Sequence, residues 1–309
     1  MRVLDSLEAA TGQFRRPVVT VGNFDGVHLG HHAIITEAVA RAAHHGCVCL
    51  LVTFEPHPQL VIGRRPLLSL LTPLEEKLRL LARFPIAAVL VIPFTLEVAQ
   101  TEPERYVHQV YVERLDAREL VVGYTHAFGR HGVGNTDLLR RMGSAYGFQV
   151  RVVPPVTADG SVVNSTRVRE CVTTGRMREA ARLLGYSYTL AGRVIHGEGR
   201  GRLLDFPTAN LQVASPQKLL PAHGVYAVRA STGSGGWPGV MNVGVRPTFG
   251  PGTVSVEVHL LDFQGDVYGC DLRVEVVERL RAEQRFSGVD ALRAQIAADV
   301  EQARRVLQG

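Results

Sequence analysis

Apolar positions in the first half of the chain follow two alternating patterns. Short runs are almost continuously apolar and β-branched: VVTV from Val18, CVCLLVTF from Cys47, AAVLVIPF from Ala87, ELVVGY from Glu119, and the stretch Val150 to Val156. Runs of this length bounded by Gly or Pro predict strands buried on both faces. Between them the apolar residues recur every three or four positions. Ile34, Ile35, Ala38, Val39 and Ala42 follow Gly30, and Leu74, Leu78, Leu81 and Ala82 follow Thr72-Pro73. Further helices are predicted from about Glu102 to Leu115 and from Thr136 to Tyr146. Thr72-Pro73-Leu74-Glu75 carries a helix-start pattern: a capping hydroxyl, proline at the first position and a carboxylate in the capping-box place. Strand and helix in strict alternation predict a doubly wound parallel sheet, in which ligands bind beyond the carboxyl ends of the strands. The loops GNFDGVHLGH, TFEPHP and VGYTHAFG all follow strands at that edge.

After Leu184-Gly185 the pattern changes to period two. TLAGRVIH, GVYAVRAS, WPGVMNVG, TVSVEVHLL and LRVEVVERL alternate apolar and polar residues and are separated by Gly, Pro, Asn and Asp. That spacing predicts an antiparallel barrel or sandwich. Ser231 to Pro238, STGSGGWP, reads as a hairpin loop, and Val289, Leu292, Ile296, Val300, Ala303 and Leu307 predict a one-sided closing helix. The expected architecture is α/β, with an N-terminal doubly wound parallel-sheet domain over residues 1–185. A C-terminal antiparallel β-barrel with a terminal helix follows over residues 186–309.

Composition narrows the function classes. With 309 residues and 46% hydrophobic content there is enough apolar side chain for two cores. No apolar run approaches the roughly 20 residues of a membrane span, and the N-terminus lacks the apolar segment of a signal peptide, so a cytoplasmic protein without membrane partners is expected. Four cysteines without a C-x-x-C pair fit structural thiols, Cys47 and Cys49 sharing a strand, better than a zinc site with His44 and His45. A net charge of +5, spread along the chain, suits phosphorylated small molecules rather than a nucleic-acid footprint.

The chemistry concentrates in a few strings. Val18 to His32 reads as strand, Gly-rich turn, helix, a junction that aims unpaired N–H groups and a positive dipole end at an anion. His28 and His31, with Gly30 between them, can both donate to a phosphate there. Asn164, Ser165 and Thr166 can cap a helix whose first turns carry Arg167 and Arg169. Cations oppose the dipole at that end, so either a phosphate is held there or these are surface arginines. In the second half, GRVIHGEGRGRLLDFPTAN supplies four glycines and three arginines before Thr208 and Asn210, whose neutral oxygens suit a magnesium ion that keeps its waters. Glu257, in an otherwise apolar alternating strand, is either outward-facing or a base held in a site. MNVGVRPTFG and ERLRAEQRFSG are long enough to close over a ligand.

GNFDGVHLGH resembles the HxGH signature of nucleotidyltransferases. With TFEPHP, VGYTHAFG, NSTRVR, FPTAN, NVGVRPTF, VEVHLLDF and LRAEQRF in order, nearly the whole chain resembles the prokaryotic bifunctional riboflavin kinases and FAD synthetases. The resemblance implies that the first domain transfers AMP from ATP to FMN and that the barrel phosphorylates riboflavin from ATP. FMN and FAD are then substrates and products rather than prosthetic groups, ATP comes with magnesium, and the chain is expected as a monomer or weak homo-oligomer. Carried over by residue, His28 and His31 bind ATP phosphates and stabilise the transition state. Gly22, Asn23, Phe24, Asp25, Gly30 and Thr125 also contact ATP, and Ser165, Thr166 and Arg169 hold its phosphates. Phe54, Pro56, His57 and Pro58 face the flavin. In the kinase half Gly197, Arg202, Thr208 and Asn210 bind ATP, Thr208 and Asn210 also the metal, Glu257 is the base, and Arg279, Arg285 and Phe286 contact the flavin. The chain departs from the family in four places. Thr125 stands where Asp or Asn is usual, His126 where Phe is common, Asn164 in place of a serine, and Asp205 in place of a glycine. An aminoacyl-tRNA synthetase would need a lysine-rich KMSKS-like loop, which the sequence lacks. An RNA-binding barrel would need aromatic strands, and only 6% of residues are aromatic. A monofunctional kinase with a structural first domain is the remaining alternative, and His28, His31 and Arg169 argue against it.

Overall fold

The computed structural model describes residues 1–63, 68–197, 201, 205–233, 235–245 and 254–308. Contacts divide the chain into two compact units, Met1–Asn164 and Ser165–Gly309.

In the first unit six parallel strands, β1 (Arg2–Leu4), β2 (Val18–Val21), β3 (Cys49–Glu55), β4 (Ala88–Pro93), β5 (Glu119–Gly123) and β6 (Gln149–Val153), lie in the order β1-β4-β3-β2-β5-β6. The chain runs outward from β2 through β3 and β4, then returns to place β5 on the other side of β2. The crevice between the ends of β2 and β5 is therefore the switch point of the sheet, where open α/β sheets bind ligands. Val18, Val19, Leu50, Leu51, Val52, Ala88, Val89 and Leu90 are fully buried, as continuous apolar strands require. The helices are α1 (Leu7–Ala10), α2 (Leu29–His45), α3 (Pro58–Val61), α4 (Leu74–Leu81), α5 (Leu96–Gln100), α6 (Pro103–Tyr106) and α7 (Thr136–Tyr146), with a two-stranded hairpin of β7 (Thr157–Ala158) and β8 (Ser161–Val162). Gly46, in the left-handed region at φ 62°, ends α2. At that end the buried Glu119 carboxylate accepts from Arg41 Nε at 2.9 and 3.0 Å and pairs with His45 at 2.8 Å, fixing helix to sheet.

Several boundaries differ from the sequence reading. Cys47 precedes β3, and β6 stops at Val153 because the following residues turn into the small hairpin. The predicted helix from Glu102 is one α-turn, α6, followed by a π-helix over Val107–Arg114. Thr72 does not cap α4. Pro73 occupies that position without a side-chain cap, because the Thr72 hydroxyl is used elsewhere. The buried face of α4 is Lys77, Leu80 and Leu81, while Ala82 is exposed.

In the second unit α8 (Ser165–Thr174) and α9 (Met177–Leu184) precede a closed antiparallel barrel of β9 (Tyr188–Ile195), β10 (Ala209–Val213), β11 (Gly224–Thr232), β12 (Gly235–Val245), β13 (Val254–Leu260) and β14 (Asp271–Arg281). Closure requires β10, a five-residue strand that the FPTAN string conceals in the sequence. Among the described residues STGSGGWP is mostly paired strand rather than loop: Ser231 faces Gly236 and Thr232 faces Gly235. The closing helix α10 (Val289–Gln308) packs Val300, Ala303, Val306 and Leu307 against Val225, Ala227 and Val240. Its predicted stripe begins one turn too early, since Val289 is exposed. The buried Asp299 on α10 instead takes a three-bond contact from Arg281 at 2.8–3.0 Å.

Helices α8 and α9 are integral to this unit. Val168, Cys171, Val172, Met177, Ala180, Leu183 and Leu184 are buried, Ala222 N–H donates to Val172 O at 3.2 Å, and Arg178 pairs with Glu278 at 2.5 Å. A fragment of residues 165–309 should therefore melt at a clearly higher temperature than one of residues 184–309. Equal melting midpoints by circular dichroism would show that the two helices add nothing to the barrel.

Candidate active sites

In the first unit the string Gly22 to His31 forms a tight turn at the switch point. Phe24 and Val27 lie at φ 49° and 34°, and Gly26 at 86°. Non-glycine residues in that region cost roughly 1–3 kcal/mol each and persist only where the surroundings hold them. Asp25 supplies that hold. Its buried carboxylate accepts from the N–H of Thr72 at 2.9 Å and of Leu71 at 3.3 Å, and from the Thr72 hydroxyl at 3.3 Å. The same hydroxyl accepts from Gly26 N–H at 2.8 Å. Asp25 thus shapes the loop from within the fold.

His28 caps α2, its Nδ1 accepting from His31 N–H at 3.3 Å, which leaves Nε2 to carry the proton of the neutral ring. The two imidazoles stack with centroids 3.7 Å apart and 15° between planes, and Phe24 meets His31 edge-on at 5.2 Å. Gly30 permits this: a Cβ there would stand 3.1 Å from the His28 ring. Burial first, then the neighbouring His28, His32 and Lys77, holds the His31 pKa well below its ordinary value. His31 is neutral at physiological pH, and its Nδ1 is buried without a hydrogen-bond partner. Behind the turn lies Lys77. Its buried ammonium donates to Asn23 O at 3.1 Å and to Thr53 Oγ1 at 3.3 Å, and the Thr53 hydroxyl donates to the same carbonyl at 3.2 Å. Burial lowers the Lys77 pKa, and Asp25 and Glu55 oppose that shift. With the Asn23 carbonyl clamped from behind, the planar peptide turns the Phe24 N–H to the opposite side. A single lysine among the polar positions of α4 gave no sign of this in the sequence.

Beside the turn is a cavity of about 440 Å³, walled by Phe54, Pro58, Phe94, Tyr106, Tyr111 and Phe128, with Asn23 and His126 at its edge. Of the expected flavin contacts, Phe54 and Pro58 line it. His57 is buried and caps α3 through Nδ1, and Pro56 follows a cis peptide and is exposed. Thr125 is exposed in the turn after β5. Ser165, Thr166 and Arg169 open α8 in the other unit.

In the second unit Glu257 pairs across the sheet with Asn210 on one side and Asn242 on the other. Directly opposed residues share a face, so the three form one row. Val256, Val258 and Leu260 point into the barrel and Glu257 does not, which places the row on the outer face. Gly197 covers Asn210 so closely that a Cβ would lie 2.0 Å from its amide, and a Cβ at Gly201 would come 3.1 Å from Thr208 Oγ1. His259, two residues beyond Glu257 and missed in the sequence, donates from Nδ1 to Pro207 O at 2.7 Å and so fixes the approach to Thr208. Among the described residues no group of three or more His, Cys, Asp or Glu could hold a metal alone. Neutral oxygens on Thr208 and Asn210 fit a magnesium ion that arrives with phosphate ligands and water. Arg202 lies outside the described residues. Arg279 donates to His223 O at 2.5 Å, Phe286 lies beneath the Arg281 guanidinium at 5.6 Å, and Arg285 is exposed.

A strained strand-to-helix turn at the switch point of a parallel sheet, joined in one chain to a barrel that sets one carboxylate between two asparagines, suits a pair of phosphate-transferring domains. A family model for FAD synthetase matches residues 11–167, and one for riboflavin kinase matches residues 184–307. The chain is 38% identical over 98% of its length to the bifunctional riboflavin kinase/FMN adenylyltransferase of Pseudomonas fluorescens, covering 97% of that protein. It is 36% identical to those of Listeria monocytogenes and Escherichia coli K12, over 93% of this chain and 91% of each relative. A solved structure titled a macrolide-efflux protein from Streptococcus pneumoniae superposes with a TM-score of 0.89 at 28% identity, covering 98% of this chain and 99% of that one. Among the described residues here, no helix is long and apolar enough to cross a membrane. The chain belongs to the bifunctional riboflavin kinase/FMN adenylyltransferase family.

The Lys77 clamp generates a prediction. Misplacing a positioned group by about 1 Å can cost roughly a hundredfold in rate. Lys77→Met should lower FMN-to-FAD turnover about tenfold to a hundredfold, while riboflavin phosphorylation in the other unit stays within about twofold. Parent-rate FAD synthesis by the folded variant would remove Lys77 from the site.

Proposed function

We propose that the first unit binds the triphosphate of ATP over the β2–α2 turn and the ring of FMN in the adjacent cavity. An FMN phosphate oxygen attacks the α-phosphorus in line, the bond to the β-phosphate breaks, and pyrophosphate leaves. No covalent enzyme intermediate is needed, so the protein's work is positioning and charge stabilisation. The stacked His28–His31 pair at the switch point carries this reading. Both rings face one helix N-terminus and can donate to oxygens that gain charge in the transition state. Asn23 and Phe24 present their backbone to the same place, Gly22 and Gly30 keep it open, and Asp25 acts as a positioning residue. Ser165, Thr166 and Arg169 enter this reading through the NSTRVR motif alone, and Thr125 through its place after β5.

In the second unit Glu257 takes the proton of the riboflavin 5′-hydroxyl as its oxygen attacks the γ-phosphorus of a second ATP, and ADP leaves. Asn210 and Asn242 flank that carboxylate. Thr208 and Asn210 would hold magnesium brought with ATP, which supplies charge neutralisation on the phosphates. FMN made here is the substrate of the first unit. The first activity is assigned within residues 1–185 and the second to the barrel of residues 186–309, with helices α8 and α9 packed in the barrel's unit, in the cytoplasm where ATP is available.

Removing one oxyanion donor typically costs roughly 10²–10³-fold in turnover. His31→Ala should reduce FMN-to-FAD turnover by about that factor, more in kcat than in KM, so that riboflavin plus ATP accumulates FMN on chromatography. An unchanged FAD rate in the folded variant would reduce His31 to a turn residue.

Loss of a positioned general base costs roughly 10²–10⁴-fold. Glu257→Gln should nearly stop riboflavin phosphorylation and leave FMN adenylylation intact. Equal loss of both in a folded chain would contradict two separate sites.

A further inference from the structure

The cavity of the first unit has an aromatic and aliphatic wall, with Asn23, Gln100, His126, Arg130 and His131 as its polar side chains besides the tyrosines. His126 stacks on Phe128 with centroids 5.4 Å apart, Phe128 lies 6.2 Å from Tyr106, and Tyr106 meets Tyr111 edge-on at 5.6 Å. The π-helix makes the last pair possible, because its i to i+5 bonding brings residues five apart onto one side. His126 Nε2 is buried without any hydrogen-bond partner. The Tyr106 and Tyr111 hydroxyls are buried too and stand near one another without a hydrogen bond of normal geometry. Three heteroatoms left unanswered on the wall of one cavity call for a ligand or ordered water. A phenyl ring at position 126 would pack against Phe128 equally well and leave no orphaned nitrogen.

We propose that His126 is a specificity-determining residue that hydrogen-bonds the polar edge of the flavin ring in this cavity. This rests on the reading of the cavity as the FMN site. The isoalloxazine is flat, apolar at its dimethylbenzene end, and carries an N3–H donor between two carbonyl acceptors at its pyrimidine end. The aromatic wall suits its faces, and His126, stacked on Phe128 of that wall, offers its polar end a hydrogen-bonding partner. Burial holds the His126 pKa down to about 4, so the ring is neutral at working pH and can donate or accept according to tautomer.

Titration of the full-length protein with FMN and with N3-methyl FMN, followed by flavin fluorescence, tests this directly. The parent should prefer FMN. His126→Phe should bind FMN about tenfold more weakly and lose the preference, with KM for FMN in FAD synthesis rising in step. His126→Gln, which keeps a donor and an acceptor, should remain within about threefold of the parent. His126→Leu should behave as His126→Phe does, and provides the comparison if the phenyl ring overfills the wall. Parent-like affinity and preference in both apolar variants, while the parent itself binds FMN and makes FAD, would overturn the role of His126 alone. A parent that neither binds FMN nor makes FAD would overturn the cavity assignment and this inference together.

Discussion

The buried Asp25 carboxylate is the constraint on which the first unit's site depends. A turn with two non-glycine residues at positive φ does not hold itself. Asp25 draws the start of α4 against it through the amides of Leu71 and Thr72, and Thr72 returns the bond through Gly26. Because charge-assisted hydrogen bonds are among the stronger ones, a single carboxylate can offset the strain of the turn. The backbone then has one conformation, with the N-terminus of α2 and the two histidines already aimed before a ligand arrives.

Charge in this site is arranged by exclusion. His28 and His31 stack too closely for both to be cationic at low cost, and Lys77 is already charged behind them. His31 is held neutral, and positive potential comes from Lys77 and the helix end. Burial makes each of these interactions stronger than it would be in water.

The sheet, the barrel and the switch-point edge were legible because apolar periodicity is a property of the sequence alone. The HLGH pair was legible because it sits where a strand pattern ends and a helix pattern begins. Lys77, Thr72 and His259 were not. Each acts through a partner between 46 and 54 positions away, Thr72 on Asp25 and Gly26, Lys77 on Asn23, His259 on Pro207, and nothing in local spacing marks such a pair. Thr72 was misread for a definite reason: its hydroxyl satisfied a local capping pattern, and a buried carboxylate competed for it and won. The π-helix was likewise invisible, since its residues are compatible with an ordinary α-helix and only Tyr106 and Tyr111 reveal the wider turn.

The two units solve the same problem, holding a triphosphate, with different materials. A parallel sheet offers a crevice at its switch point, so the first unit needs only a strained turn and a helix end to make an anion site. A closed barrel has its interior filled by Val256, Val258, Val274, Val276 and Met241 and offers no such crevice. Its chemistry has to sit on the outer face, where a strand's polar residues already project. Asn210, Glu257 and Asn242 come into one row there because antiparallel pairing aligns them, not because they are near in sequence. Gly197 then brings the chain down over Asn210, turning an exposed row into a partly enclosed one. The alternation that first suggested an outward-facing Glu257 is therefore correct, and an outward carboxylate set between two asparagines is compatible with the proposed role of base.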